Sequence, residues 1–412
     1  MSTNPLFRYE NKLLILLSFI FGFVIFDRMA LGYLVPFFEK ELGLNNTQIG
    51  LLSSLLALAW AISGYLMGTL SDKTGKRKQY LIIAVAIFSI CSFISGLAAG
   101  FALLLLARII MGLAEGPVLP IAQSIMIDAS TEKRRGFNMG FMQGFVGGLV
   151  MMPAPIILVW LATNFGWRNA FFIAGVPGLV LAAIGFFYIK ETKAPEVQEK
   201  KQKTSIVDLL KYRNVRVSIL LSCCIMTWLF AQMAFMPKYL ISIKHFTAED
   251  MGKTMSVFGL GAIIWGIVVP ALSDKLGRKP IVIIFFLLSL LMPLSVIYLG
   301  KSFVGLSPFV LLGTSIMGCF PVVLATIPSE TIPRQYIAQT LGLVMGIGEL
   351  VGGFLAPAIA GWAADQFGLH APFLIAAGAT LSAALIALLL YETAPAILNK
   401  RNNDTQPTIP AI

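Results

Sequence analysis

Six ionisable side chains stand inside long apolar stretches of this 412-residue chain: Asp27, Arg28, Arg108, Glu115, Lys238 and Glu349. At mid-depth of a bilayer each would cost roughly 2.5 to 3.5 kcal/mol or more, so such groups are retained for what they do. A guanidinium in a low-dielectric cavity stays charged and grips a carboxylate through two parallel hydrogen bonds. A carboxyl buried beside it is pulled two ways, because loss of water favours the neutral form and the nearby cation favours the charged one. A group so balanced can load and release a proton. Asp27 and Arg28 lie about fourteen residues into the first apolar stretch, which at 1.5 Å per residue is ~20 Å and near the midplane. Glu115 lies as far into the fourth stretch, which enters from the opposite side, so the three can meet at one depth. Arg108 precedes Glu115 by seven residues, two helical turns, and shares its face one level nearer the outside. Glu349 sits midway along the eleventh stretch and Lys238 near the outer end of the seventh.

The elements that must position these groups are membrane helices. A spanning helix needs about 20 predominantly apolar residues, and twelve such stretches begin near Lys12, Gln48, Gln79, Phe101, Gly136, Asn169, Val217, Ala248, Pro280, Val304, Ala338 and Pro372. Charged residues are 12% of the chain and hydrophobic ones 57%, against roughly 25% and 45 to 50% in soluble domains. No water-exposed surface is covered with that composition. The chain is also duplicated: Leu70-Ser71-Asp72-Lys73-Thr74-Gly75-Lys76-Arg77 returns 202 positions later as Leu272-Ser273-Asp274-Lys275-Leu276-Gly277-Arg278-Lys279. At the same offset Gly140 falls on Gly342, Gly166 on Gly368, Phe171 on Phe373 and Asp128 on Glu330. The expected fold is therefore all-α, twelve transmembrane helices in two pseudo-symmetric six-helix bundles. The boundaries read as 1–189 for the first bundle, 190–216 for a cytoplasmic linker, 217–396 for the second bundle and 397–412 for a cytoplasmic tail.

A structural ion-pair network joining helices is the competing reading of the six charges. Asymmetry argues against it. At the repeat offset Asp27 and Arg28 fall on Leu229 and Phe230, Arg108 on Val310 and Glu115 on Met317. Scaffold needed by both halves is kept in both, whereas these charges occur only in the first.

Lys and Arg accumulate on the cytoplasmic side of membrane proteins. The exits from stretches two, four, six and eight are basic, with Lys76, Arg77 and Lys78 at the first of them and Arg278 and Lys279 at the last. Both termini are thus expected in the cytoplasm, and no cleavable signal is read at the start. The net charge of +11 reflects topology and contact with membrane lipid, not nucleic acid. Cys91, Cys223, Cys224 and Cys319 lie inside apolar stretches with no ligand-like pairing to His245 or His370, so neither disulfide, metal nor cofactor is expected.

The string Gly68-Thr69-Leu70-Ser71-Asp72-Lys73-Thr74-Gly75-Lys76-Arg77 resembles the loop-two signature of the major facilitator superfamily, repeated after stretch eight with Pro270 in place of the leading glycine. The resemblance makes Gly68, Asp72, Gly75, Arg77, Asp274, Gly277 and Arg278 gating residues. The charged constellation resembles the anion:cation symporter family within that superfamily, which carries an Asp-Arg pair in helix one and Arg-x6-Glu in helix four. Here these are Asp27-Arg28 and Arg108 to Glu115, followed by Gly116-Pro117 and Pro120. The resemblance implies that Arg28 holds a substrate carboxylate, that Asp27 and Glu115 take up coupling protons, and that Arg108 steers the charge of Glu115. Glu349 stands where a neutral polar residue is expected. It can pair across the bundles with an Arg, meet a cationic group of the substrate, or titrate as a third acid, in that order.

Trp228 and Gln232, one turn apart in stretch seven, can present a stacking face and an amide from the second half, and Tyr33, Trp60, Tyr65, Gln143 and Trp265 are further candidates for a lining. The expected function is proton-coupled uptake of a small organic anion by a monomer in the inner membrane. The alternative is a proton antiporter exporting drugs, siderophores or metabolites, against which the sequence Gly144-Phe145-Val146-Gly147-Gly148 lacks a Gly-Pro signature. A membrane sensor or enzyme is disfavoured, since no nucleophile with a base is present.

Overall fold

The computed structural model describes residues 9–131, 134–142, 150–191, 206–299, 302–333 and 336–398, with the backbone alone for Asp72 and Ala338. Gln143, Gly144 and Gly148, most of the expected linker and nearly all of the expected tail lie outside the described residues. An apolar chain in lipid must satisfy its backbone internally, and the described residues form helices and no strands. In order they are α1 (Tyr9–Phe38), α2 (Asn46–Thr74), α3 (Arg77–Gly96), α4 (Phe101–Ala129) and α5, described at its two ends as Arg135–Gly140 and Ala154–Phe165. Then come α6 (Trp167–Tyr188), α7 (Arg213–Ser242), α8 (Ala248–Leu276), α9 (Arg278–Tyr298), α10 (Phe303–Thr331), α11 (Gln339–Phe367) and α12 (Ala371–Ala387). Among the described residues ten are long and apolar enough to span by themselves, and α12 is 17 residues.

Helix ends follow local chemistry. Asn45 caps α2 in a reciprocal pair with Gln48, and Thr247 caps α8 through the Asp250 amide. Gly75 and Gly277 end α2 and α8 at φ +68° and +104°, a region that favours glycine, which is why the repeated string needs one there.

The duplication reads directly in the packing. In the first half α3 lies on α6 and α2 on α4; in the second, α9 lies on α12 and α8 on α10. The halves meet through α1 with α7, α2 with α11, and α5 with α8. Gly50 of α2 backs onto the Pro357 carbonyl of α11, and at the 202-residue offset Gly252 of α8 faces Pro155 of α5. Gly361 likewise meets the Asn46 backbone. These small residues let helices from different halves touch at the end carrying the α1–α2 turn. A side chain at Gly50 has no room, and overpacking costs roughly 1 to 3 kcal/mol, a shift of about 5- to 150-fold in an equilibrium. Gly50→Val should therefore open that end, read as faster labelling of a cysteine placed at Thr47 by an impermeant maleimide. Unchanged labelling would mean that α2 bows away without parting the halves.

Candidate functional site

A cavity of about 270 Å³ lies between the halves, walled mainly by α1, α2, α7, α10 and α11. At its centre Arg28 of α1 donates from Nη2 to Glu349 Oε1 of α11 at 2.5 Å, an ion pair that ties the halves together at the cavity wall. The guanidinium is flanked by two aromatic faces, Trp60 at 5.4 Å and Phe230 at 4.9 Å from ring centroid to Cζ. Phe230 is the position onto which Arg28 maps at the repeat offset, so the pseudo-twofold brings the two counterparts into contact. Glu349 reaches the cavity from the start of a π-helical turn, Glu349–Leu355, where Gly352 packs flush on Met226 of α7. Such turns re-aim side chains and recur at functional sites.

Behind this wall is a second, buried layer. Consecutive helical positions point about 100° apart, so with Arg28 in the cavity Asp27 turns toward α3 and α6. There Asp27 Oδ1 accepts from Ser92 Oγ at 2.7 Å while Oδ2 has no hydrogen-bond partner. Arg108 is wholly buried, its guanidinium 5.2 Å from the Phe171 ring, with only Nη1 engaged, on Met111 Sδ at 3.3 Å. Both carboxyl oxygens of Glu115 are buried without a partner. Asp27, Arg108 and Glu115 lie within electrostatic range of one another, and Glu115 also of Arg28. None of the three is clamped in a direct salt bridge. Burying an unpaired carboxylate there costs more than burying a neutral acid.

Of the sequence-derived candidates, Arg28, Tyr33, Trp60 and Glu349 line the cavity, and Asp27, Arg108 and Glu115 gather behind it. Trp228 and Gln232 do not line it: Trp228 is buried and stacks on Phe258 at 5.9 Å, and the Gln232 amide is buried without partners. Trp265 donates to the Leu311 carbonyl at 2.6 Å and joins α8 to α10, and Tyr65 is exposed. Gln143 lies outside the described residues. The sequence reading missed Ser92 and a set of cavity methionines, since neither type marks itself in an apolar run.

Residues 17–357 match the family model described as Major Facilitator Superfamily. The chain belongs to that superfamily. A probable 4-methylmuconolactone transporter of Cupriavidus pinatubonensis is 26% identical over 337 residues, 79% of this chain and 78% of that protein. A hexuronate transporter of Bacillus subtilis is 24% identical over 408 residues, 93% of this chain and 95% of that one. Among solved structures, a bacterial homolog of the human lysosomal transporter Spinster, inward-facing and occupied, superposes with a TM-score of 0.77 at 17% identity, covering 94% of this chain and 97% of that one. This superfamily member is a multi-pass membrane transporter, not an enzyme.

In this transporter the repeated strings run from the last turns of α2 and α8 into the first residues of α3 and α9. Arg77 donates to Asp128 Oδ2 at 2.6 Å. Arg278 pairs with Asp274 at 2.5 Å and Glu330 at 2.9 Å, and also donates to Ser273 Oγ at 2.8 Å. Asp128 and Glu330 coincide at the repeat offset, so each half builds an arginine clamp on the last turn of its fourth helix. Glu191 and Glu392 accept from the first amides of α3 and α9, a pair of caps the sequence did not disclose. A Cβ at Gly68 would meet nothing within 4 Å, and the Asp72 side chain lies outside the described residues.

At the other end Lys238 of α7 pairs with Glu39 at 2.6 Å and donates to Asn46 Oδ1 at 2.7 Å. Asp365 of α11 accepts from the Asn46 and Thr47 amides at 3.0 and 2.8 Å. This network latches the two halves. Lys238 and Glu39 are 11% and 7% exposed, and breaking a buried pair from one side costs about 3 to 5 kcal/mol because the other charge is stranded. Lys238→Met should lower the apparent Tm of the detergent-purified protein by several degrees, and adding Glu39→Gln should restore most of it. Equal Tm values for single and double variants would show that the pair holds nothing.

Proposed function

We propose that this transporter carries out proton-coupled uptake of a small organic anion across the inner membrane, with both termini cytoplasmic and the bundles 1–189 and 217–396 rocking as a monomer about the central cavity. The observation that carries the reading is the Arg28 guanidinium, held at the cavity wall between two aromatic faces and answered by an acid of the opposite half. A fixed cation of that kind selects a carboxylate, and relatives named as hexuronate and 4-methylmuconolactone transporters support an organic-acid class.

The second layer supplies the coupling. Asp27 and Glu115 take protons in a buried setting, Arg108 moderates their charge, and the incoming anion displaces Glu349 from Arg28. Two protons moving with one monoanion carry a net positive charge inward, and each such charge contributes ~2.3 kcal/mol per 100 mV. Arg77, Asp72, Gly75 and Gly68 in the first half, with Asp274, Gly277 and Arg278 in the second, act at the cytoplasmic gate.

A thermal-shift screen of the purified protein against organic acids tests the reading, since a ligand at 100 times its dissociation constant stabilises by about 2.7 kcal/mol. Stabilisation by carboxylates and not by their amides or alcohols is the expected result. Stabilisation confined to cations or neutral compounds would overturn it.

A further inference from the structure

The wall of the cavity carries little that can bond to a hydroxyl. Among its described lining residues only Arg28, Tyr33, Ser53, Trp60 and Glu349 bear side-chain nitrogen or oxygen. Arg28 pairs with Glu349 and is assigned to the carboxylate, and the Tyr33 hydroxyl lies on Met29 Sδ at 3.8 Å. Apart from Ser53 and Trp60, the rest of the described lining is thioether and hydrocarbon, with Met29, Met151, Met226, Met233, Met317 and Met345 all facing the space. Methionine is flexible and polarisable, and its sulfur makes favourable contacts with ring edges and faces. Phe230 and Trp60 already flank the guanidinium, so a flat ring bearing a carboxylate can bring that group to Arg28 and keep its body among the sulfurs.

We infer that the substrate is an aromatic monocarboxylate, or one as flat and apolar, and not a polyhydroxylated sugar acid. This rests on the carboxylate reading of Arg28 and adds the nature of the rest of the molecule. A sugar acid entering this space strips its hydroxyls of water and finds few partners for them among the described lining residues, whereas a ring loses nothing comparable. An apolar pocket discriminates modestly against each added hydroxyl, by about a hundredfold at most.

Calorimetric titration of the full-length wild-type protein in detergent separates the two claims. The probes are benzoate, phenylacetate, 3-phenylpropionate, D-glucuronate and phenylacetamide. At least one aromatic acid is expected to bind about tenfold or more tighter than glucuronate, with phenylacetamide far weaker than phenylacetate. Glucuronate binding as tightly as the best aromatic acid would overturn the inference and leave the carboxylate reading standing. Phenylacetamide matching phenylacetate would overturn the carboxylate reading itself, and failure of all three aromatic acids to bind would overturn the inference. Met317→Gln, placing an amide in the wall, should narrow the preference over glucuronate severalfold; an unchanged ratio in the folded variant would remove the methionine wall from the selection.

Discussion

Arg28→Lys will bind the transported carboxylate about 10- to 100-fold more weakly than the wild-type protein. The ammonium keeps the charge but loses the planar fork and the delocalised face that lies against Trp60 and Phe230, and a hydrogen bond to a charged group contributes about 1.5 to 3 kcal/mol. The effect should fall on affinity while the protein stays folded, because Glu349 still has a cation opposite it. Calorimetry on both proteins measures it directly. Near-normal affinity in the lysine variant would remove Arg28 from the binding site, and a carrier of neutral or cationic drugs would show that indifference.

Glu115→Gln should abolish uphill accumulation driven by a pH gradient yet spare exchange of labelled for unlabelled substrate across proteoliposomes. Glutamine copies the protonated acid in shape, and both Glu115 oxygens already lack partners, so the substitution breaks no hydrogen bond. The loaded carrier can still alternate. The empty return, which needs a proton to leave, stalls. Full accumulation by the glutamine variant would move coupling to Asp27 or Glu349, and loss of exchange as well would show that Glu115 positions the substrate.

Much of the architecture is legible in the sequence because lipid leaves the chain few choices. Twelve apolar stretches and the 202-residue repeat specify the bundles, and the repeat even pairs Gly50–Pro357 with Gly252–Pro155 at the contact between halves. The positions of the buried charges are legible too, since charge in an apolar run stands out, and the pairing of Glu349 with an arginine across the bundles is the first of the three roles the sequence offered it. Facing is what the sequence hides. Asp27 and Arg28 are adjacent on a helix that is apolar all round, so no amphipathic stripe tells which of them meets the cavity. The same uniformity of α7 hides that Trp228 and Gln232 turn into packing while Leu229 and Phe230 line the space. Partners distant in sequence, such as Glu39 for Lys238, come only from the way the halves close.

Charge movement tests the central claim most directly. With the protein in liposomes adsorbed on a solid-supported membrane, a rapid jump in the external concentration of a carboxylate that binds should move net positive charge inward, as the proposed movement of two protons with each monoanion requires. Protein-free liposomes exposed to the same acid control for its passive entry, and Glu115→Gln should carry no sustained current. A negative charge displacement, or an uptake of labelled carboxylate that carries no charge and ignores the pH gradient, would contradict the account.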